Sequence, residues 1–150
     1  MEKEISWKVS RFEELTRDEL YEILHLRCKI FVVEQDAPYL DMDYKDQRAL
    51  HLQGYVDGRL AAYCRLFGAG GYFDEACIGR VIVAQEYRKY GFGHELMKRA
   101  LAIEESVLGE TKITISAQLY LKNFYESHGF KQTSEVYLED GLPHIQMKKE

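Results

Sequence analysis

The stretch of residues 78–101, IGRVIVAQEYRKYGFGHELMKRAL, constrains the fold more than any other part of the chain. It opens as an apolar, β-branched run and passes Arg88-Lys89 and two glycines one residue apart. It closes with apolar residues at helical spacing. A strand that leads through a short turn into a helix is the first half of a β-α-β crossover. KITISA (112–117), rich in β-branched residues, supplies the second strand. A parallel strand pair needs a return path of helix length, so this unit predicts an α/β fold.

The other elements arrange themselves around it. EISWKVS (4–10) alternates and predicts a strand. Thr16 with Glu19 three residues on is a capping-box pattern. The helix that follows, DELYEILHLRCKIF (18–31), sets Leu20, Ile23, Leu24, Cys28 and Phe31 on one face. Residues 35–48 are polar, contain Pro38 and predict a loop. ALHLQGYV (49–56) and RLAAYCRLF (59–67) flank Asp57-Gly58, a hairpin signal. GAGGYF (68–73) is a flexible connection. The crossover strand covers 77–84 and its helix 93–108, and a short helix at 121–128 ends at Gly129. FKQTSEVYL (130–138) and PHIQMKK (143–149) predict two strands joined around Glu139-Asp140-Gly141. The order β-α-β-β-β-α-β-α-β-β gives a largely antiparallel front with the crossover behind.

Composition sets limits on function. A chain of 150 residues fits one domain, taken as 1–150. No run of about 18 apolar residues is present, so no membrane span is expected. MEKEISWKVS has no apolar leader pattern. Cys28, Cys64 and Cys77 are odd in number and show no CxxC spacing, which fits a reducing, cytoplasmic setting. A net charge of -5 argues against nucleic-acid binding. A cationic spot on such a chain serves one small anion.

Arg88, Lys89, Gly91 and Gly93 form that spot. A Rossmann fingerprint would need a third glycine where Leu96 stands. A Walker A loop would need Lys-Ser/Thr where His94-Glu95 stands. A tight turn with close helix–strand packing accounts for two glycines alone. The position at a helix start adds more. First-turn N–H groups lack intrahelical partners and carry the positive end of the helix dipole, and glycines let backbone approach an anion. The segment reads as a phosphate site of the helix-terminus kind.

Arg88-Lys-Tyr-Gly91-Phe-Gly93 after an apolar strand resembles the acetyl-CoA signature of GNAT N-acetyltransferases. Asn123-Phe-Tyr125-Glu-Ser-His-Gly129-Phe130 resembles a second segment of that family. Arg27-Cys-Lys-Ile-Phe31-Val-Val-Glu34-Gln35, Pro38-Tyr39 and Glu139-Asp140-Gly141-Leu-Pro143-His144 resemble its ElaA-like branch. The resemblance implies the GNAT fold: a mixed central sheet of six to seven strands, flanked by helices, with parallel strands 77–84 and 112–117 splayed into a V. It places pantetheine along Val81, Ile82 and Val83, and pyrophosphate on the amides of Arg88, Lys89, Tyr90, Gly91, Phe92, Gly93 and His94. Asn123 would face the pantetheine arm, and Tyr125 the thioester sulfur.

The implied chemistry is direct attack of a neutral amine on the acetyl-CoA carbonyl. A backbone N–H of strand 77–84 can stabilise the oxyanion, and the Tyr125 phenol can protonate the leaving thiolate. Tyr125 can also be read as a packed aromatic beside Phe124 and Phe130. Glu34 is placed on the acceptor side as the candidate base. His51, Glu75, His144 and water remain alternatives. The acceptor is a small-molecule or peptide amine, walled by loops 35–48, 68–76 and 139–142. Asp41, Asp43 and Asp46 open like an EF-hand, but its glycine and closing glutamate are replaced by Asp46 and Leu52. A solvated loop or acceptor wall is expected there, and no metal site. Cys64 and Cys77 read as core thiols. The second class of function is a catalytically silent acyl-CoA-binding module, against which the intact Tyr125 counts. Homodimers are common in such folds, and nothing in the sequence shows one.

Overall fold

The computed structural model describes residues 3–150. Met1 and Glu2, the start of the expected 1–150 domain, lie outside the described residues. The chain order is β1 (Ser6–Arg11), α1 (Arg17–Arg27), β2 (Leu50–Val56), β3 (Arg59–Phe67), β4 (Ala76–Val83), α2 (Phe92–Ser106), β5 (Ile113–Gln118), α3 (Lys122–Glu126), β6 (Lys131–Gln132), β7 (Tyr137–Glu139) and β8 (Leu142–Lys149). One sheet runs β1-β2-β3-β4-β5-β8-β6, with β7 also on β8. β1 to β4 are antiparallel neighbours, β4 and β5 are parallel across the α2 crossover, and β8 runs antiparallel to β5. The sheet has eight strands, not six to seven. The expected 130–138 strand divides because Ser134 leaves the ladder. Its hydroxyl, rather than a carbonyl, accepts the Gln146 N–H at 2.9 Å.

Local signals act as their chemistry requires. The Thr16 hydroxyl accepts the Glu19 N–H at 3.0 Å, and the Glu19 carboxylate accepts the Thr16 N–H at 2.9 Å. Asp57 and Gly58 both take positive φ, at 50° and 77°, which a two-residue hairpin turn with matching twist demands.

Helices cover both faces of the sheet. Ile23, Leu26 and Ile30 pack on Leu60, Tyr63 and Ile82. Leu96, Met97 and Ala100 of α2 pack on the opposite face, against Ala62, Cys64, Ile78 and Ile115, with Tyr125 and Phe130. The two faces follow the strand period: Tyr63 points to α1, Ala62 and Cys64 to α2. Each fully buried aliphatic side chain contributes about 1.5–3 kcal/mol of transfer free energy.

The first helix departs from its expected pattern. α1 stops at Arg27 and Cys28–Glu34 continues as a π-helical turn. Gln35 N–H donates to the Ile30 carbonyl at 3.2 Å and Ala37 N–H to Val32 at 3.1 Å, both five residues back. The wider turn brings Ile30 into the core and leaves Cys28 exposed rather than on the apolar face. Single π-helical turns frequently accompany functional sites, and this one carries Glu34 and Gln35 to the sheet opening.

Candidate active site

β4 and β5 pair only at Ala76↔Ile113 and Cys77↔Thr114. From Ile78 onward β4 keeps β3 on one side and has an open edge on the other. A bulge drives the divergence. The β3–β4 register passes from Arg65↔Gly79 to Tyr63↔Ile82, so β4 uses one residue more than β3. Arg80 sits in the bulge at φ 52°. That conformation costs a non-glycine residue about 1–2 kcal/mol. It is held by Asp41, whose Oδ1 accepts Arg80 Nε–H at 2.8 Å and whose carbonyl accepts Nη2–H at 2.9 Å.

A cavity of about 380 Å³ opens beside this edge. Val81, Ile82 and Val83 line it from β4, Gly91, Gly93 and His94 from the turn into α2, and Phe124 and Tyr125 from α3. Gly91 takes φ 76°, where a side chain is strained, and lets Gln85–Tyr90 stop and α2 begin at once. A Cβ on Gly93 would stand 3.6 Å from Phe124 and 3.8 Å from Val83, two walls of the same cavity. Thus eight expected site residues come together: Val81, Ile82, Val83, Arg88, Gly91, Gly93, His94 and Tyr125. Four side chains do not. Phe92 is buried with Val56 and Ala61, Tyr90 packs on that cluster, Lys89 Nζ lies 5.4 Å from the Tyr90 ring, and Asn123 is exposed.

The sequence expectation set Glu34 on the acceptor side. Glu34 borders the same cavity as Gly91 and Gly93, with its Oε2 2.9 Å from Arg88 Nη1. Arg88 also donates from Nε to the Val83 carbonyl at 3.0 Å. The π-turn sets this position, because a continued α-helix would project residue 34 elsewhere.

Tyr125 is buried and touches Phe124 and Phe130 edge-on, with ring centroids 5.1 and 5.9 Å apart. Its hydroxyl makes no hydrogen bond among the described residues, and burial raises its pKa. The ring packs, and it also lines the cleft.

A second, smaller cavity of about 80 Å³ meets the first at Phe31, Gln35, Val81, Gln118, Leu121 and Tyr125. Tyr39, Arg80, Ser116, Glu139, Asp140 and His144 line its far side. Loops 35–48 and 139–142 contribute as expected, and 68–76 does not. Burial pushes the Tyr39 phenol up to about 12.

The acidic loop turns its carboxylates inward while Met42 and Tyr44 stay exposed. Asp41 and Asp46 are buried, and with Asp43 they hold Arg27, Arg65 and Arg80. Arg27 Nε is 2.7 Å from Asp41, and Asp46 Oδ1 accepts from Arg27 and Arg65 at 2.8 Å each. Burial works to raise the Asp43 pKa, and the Arg65 hydrogen bonds outweigh it and hold the carboxyl well below its usual range. This network locks the bulge and escaped the sequence reading. Its three arginines carry no local pattern.

Other candidates have structural roles. His51 is buried, donates from Nε2 to the Asp46 carbonyl at 2.9 Å and accepts the Tyr63 hydroxyl at 2.6 Å. Glu75 accepts from Lys148 at 2.7 Å and Thr114 at 3.0 Å. Cys64 and Cys77 are buried, and burial raises both thiol pKa values. Among the described residues, no group of three or more His, Cys, Asp and Glu side chains could hold a metal ion. None of their helices is long and apolar enough to cross a membrane.

A splayed parallel pair, a left-handed glycine at the helix mouth and two joined cavities define a GNAT acyltransferase cleft. The acetyltransferase (GNAT) domain family matches residues 27–150, and the chain belongs to that family. It is similar to protein ElaA of Escherichia coli, with 38% identity over 97% of each chain. The crystal structure of that ElaA superposes with TM-score 0.89 over 98% of this chain and 100% of the other. An acyl-CoA N-acyltransferase from Pseudomonas aeruginosa superposes with TM-score 0.92 at 40% identity, over 98% of this chain and 100% of that one. Acyl-CoA-dependent acyl transfer is therefore the chemistry this family supports.

Proposed function

We propose that the protein is an acetyl-CoA-dependent N-acetyltransferase that moves the acetyl group to a primary amine by direct attack. The observation that carries the reading is the junction of two cavities at Val81 and Tyr125. One has the glycine turn at its end, the other has polar side chains, and only the junction is open to both.

Pantetheine would lie along the open edge of β4 at Val81, Ile82 and Val83, adding itself as a strand does. Pyrophosphate would sit on amides from Arg88 to His94, where the first turn of α2 leaves N–H groups unpaired. In this reading the Asn123 side chain has no part, and Glu34 orients Arg88 rather than acting as base. As the amine attacks, negative charge moves from the carbonyl oxygen to sulfur. A β4 amide at the bulge would hold the oxyanion. The Tyr125 hydroxyl, protonated and without a hydrogen-bond partner among the described residues, would give its proton to the departing sulfur.

The test is release of free thiol when the protein and acetyl-CoA meet a panel of primary amines, with the acetylated amine confirmed by mass. Thiol that rises with amine concentration is expected. Tight acetyl-CoA binding by calorimetry with no thiol release from any amine would instead identify a silent acyl-CoA-binding module.

A further inference from the structure

His144 lies in β8 opposite Gln118 of β5 and is 6% exposed. Its Nδ1 is 2.8 Å from the Leu142 carbonyl, which can only accept. Nδ1 therefore carries a proton, and in the neutral tautomer Nε2 presents a lone pair. Nε2 stands 3.4 Å from Glu139 Oε2. The other Glu139 oxygen accepts from Ser116 Oγ at 3.2 Å, and Ser116 Oγ is 2.5 Å from the Tyr137 hydroxyl. The Tyr137 ring stacks on the imidazole with centroids 6.2 Å apart. A carbonyl behind and a ring alongside thus fix the imidazole, and it faces the smaller cavity with a carboxylate beside it.

With the ring neutral, Nε2 and Glu139 Oε2 are two acceptors 3.4 Å apart on one cavity, with no donor between them among the described residues. The cations nearby are spoken for: Arg80 is bound to Asp41. Asp140 adds a further carboxylate to the wall. An ammonium group offers three donors and no acceptor, so it complements this pair. The other base candidates are closed off: Glu34 by Arg88, His51 by Tyr63 and Asp46, Glu75 by Lys148.

We infer that Glu139 and His144 form the amine-binding site, that the acceptor arrives as a primary ammonium, and that His144 is the base which deprotonates it. The inference rests on the acetyl-transfer reading. The ammonium gives one proton to Nε2, and the resulting imidazolium is paired with Glu139. The freed nitrogen lone pair forms the C–N bond as the C–S bond breaks, and the sulfur takes the Tyr125 proton. The nitrogen loses its second proton, which restores Tyr125 through solvent. His144 releases its proton to water, so each turnover yields amide, thiol and one proton.

The probes are acetyl-CoA with benzylamine, protonated at pH 7, and O-benzylhydroxylamine, an alkoxyamine already neutral there. His144→Asn keeps an N–H for the Leu142 carbonyl and removes Nε2. It is expected to turn over benzylamine about a hundredfold more slowly. With O-benzylhydroxylamine the loss stays within about threefold, and acetyl-CoA Kd within about twofold. Raising the pH restores the benzylamine rate. Glu139→Gln raises the benzylamine KM. The pH profile is read against the groups that face His144: Glu139 and Tyr137 of β7, Asp140 of the turn, Arg80 of β4, Tyr39 of the loop and Tyr125 of α3. Equal losses with both amines, or no loss with either, overturn the base assignment, and His144→Gln repeats the comparison if the Asn variant melts early. A wild type that binds acetyl-CoA and releases thiol with neither amine nor any of the wider panel removes acyl transfer itself, and this base with it.

Discussion

The Arg88 guanidinium forks onto the Glu34 carboxylate, with Nη1 2.9 Å from Oε2 and Nη2 3.1 Å from Oε1. The pair spans the mouth of the larger cavity and ties the π-turn to the glycine turn. Both side chains are partly exposed, so water and salt screen the pair.

That relationship predicts which ligand Glu34 affects. A carboxylate about 4 Å from an anionic group costs that ligand on the order of 1 kcal/mol in water. Glu34→Gln removes the charge and frees Arg88 for phosphate. Acetyl-CoA binding is expected to tighten about threefold to fivefold at low salt, with the amine KM unchanged. Calorimetry and initial rates check it. A collapse of kcat at constant Kd would return Glu34 to the role of base.

Gly93 separates ligand crowding from backbone strain. Gly91 sits at φ 76°, so any side chain there strains the turn whatever binds. Gly93 lies within α2, and a Cβ there finds only ordinary contacts, at 3.6 Å or more. Gly93→Val is expected to leave the melting temperature within about two degrees, because removing a helical glycine offsets the β-branch. It should weaken acetyl-CoA binding at least about tenfold, or about 1.4 kcal/mol. Unchanged affinity in the folded variant would move the phosphate site away from this turn.

Glu104 should make stability fall with pH. It is fully buried at the end of the α2 apolar stripe, and neither carboxylate oxygen has a partner among the described residues. Burial pushes its pKa from 4.5 up to about 8, and Glu110 adds to the shift. The folded chain then holds a proton that the unfolded chain releases. Stability is full below about 4.5, declines as pH rises, and levels off above about 8. Glu104→Met removes the penalty, on the order of 2–4 kcal/mol at pH 8 and about 1 kcal/mol or less at pH 5. The gain in Tm at pH 8 should exceed that at pH 5 by roughly 5 °C. Equal changes at both pH values would contradict a lone buried carboxyl.

Asp46 is predicted to matter for stability, although its surroundings in sequence are polar. It accepts from Arg27 and Arg65 at 2.8 Å each. Asp46→Ala leaves two buried guanidinium groups short of a carboxylate and should cost about 3–5 kcal/mol in urea unfolding. A cost under about 1 kcal/mol would mean that Asp41 and Asp43 suffice.

What could be read in advance was local. Asp57-Gly58, the Thr16 cap and the glycine turn each encode a backbone conformation within a few residues, and the crossover follows from the periods on either side of Gly91. What could not be read depends on distant partners. Arg27 and Asp41 are 14 residues apart, and Arg80 and Asp41 are 39 apart. Their burial as a set cannot be seen in a polar loop. The π-turn inserts no unusual residue, yet it decides which cavity Glu34 borders. Ser134 divides the expected 130–138 strand with a single hydroxyl contact.

The two cavities meet at the hydroxyl proposed to protonate the leaving sulfur. Tyr125→Phe keeps the ring in contact with Phe124 and Phe130 and removes only the hydroxyl, which has no other partner among the described residues. The measurement is the single-turnover rate of acetyl transfer from bound acetyl-CoA to a saturating primary amine. A rate about a hundredfold lower, with Kd for acetyl-CoA within about twofold and Tm within about two degrees, is the predicted result. A rate above half that of the wild type would contradict it and leave Tyr125 as a packing residue, with solvent protonating the thiolate.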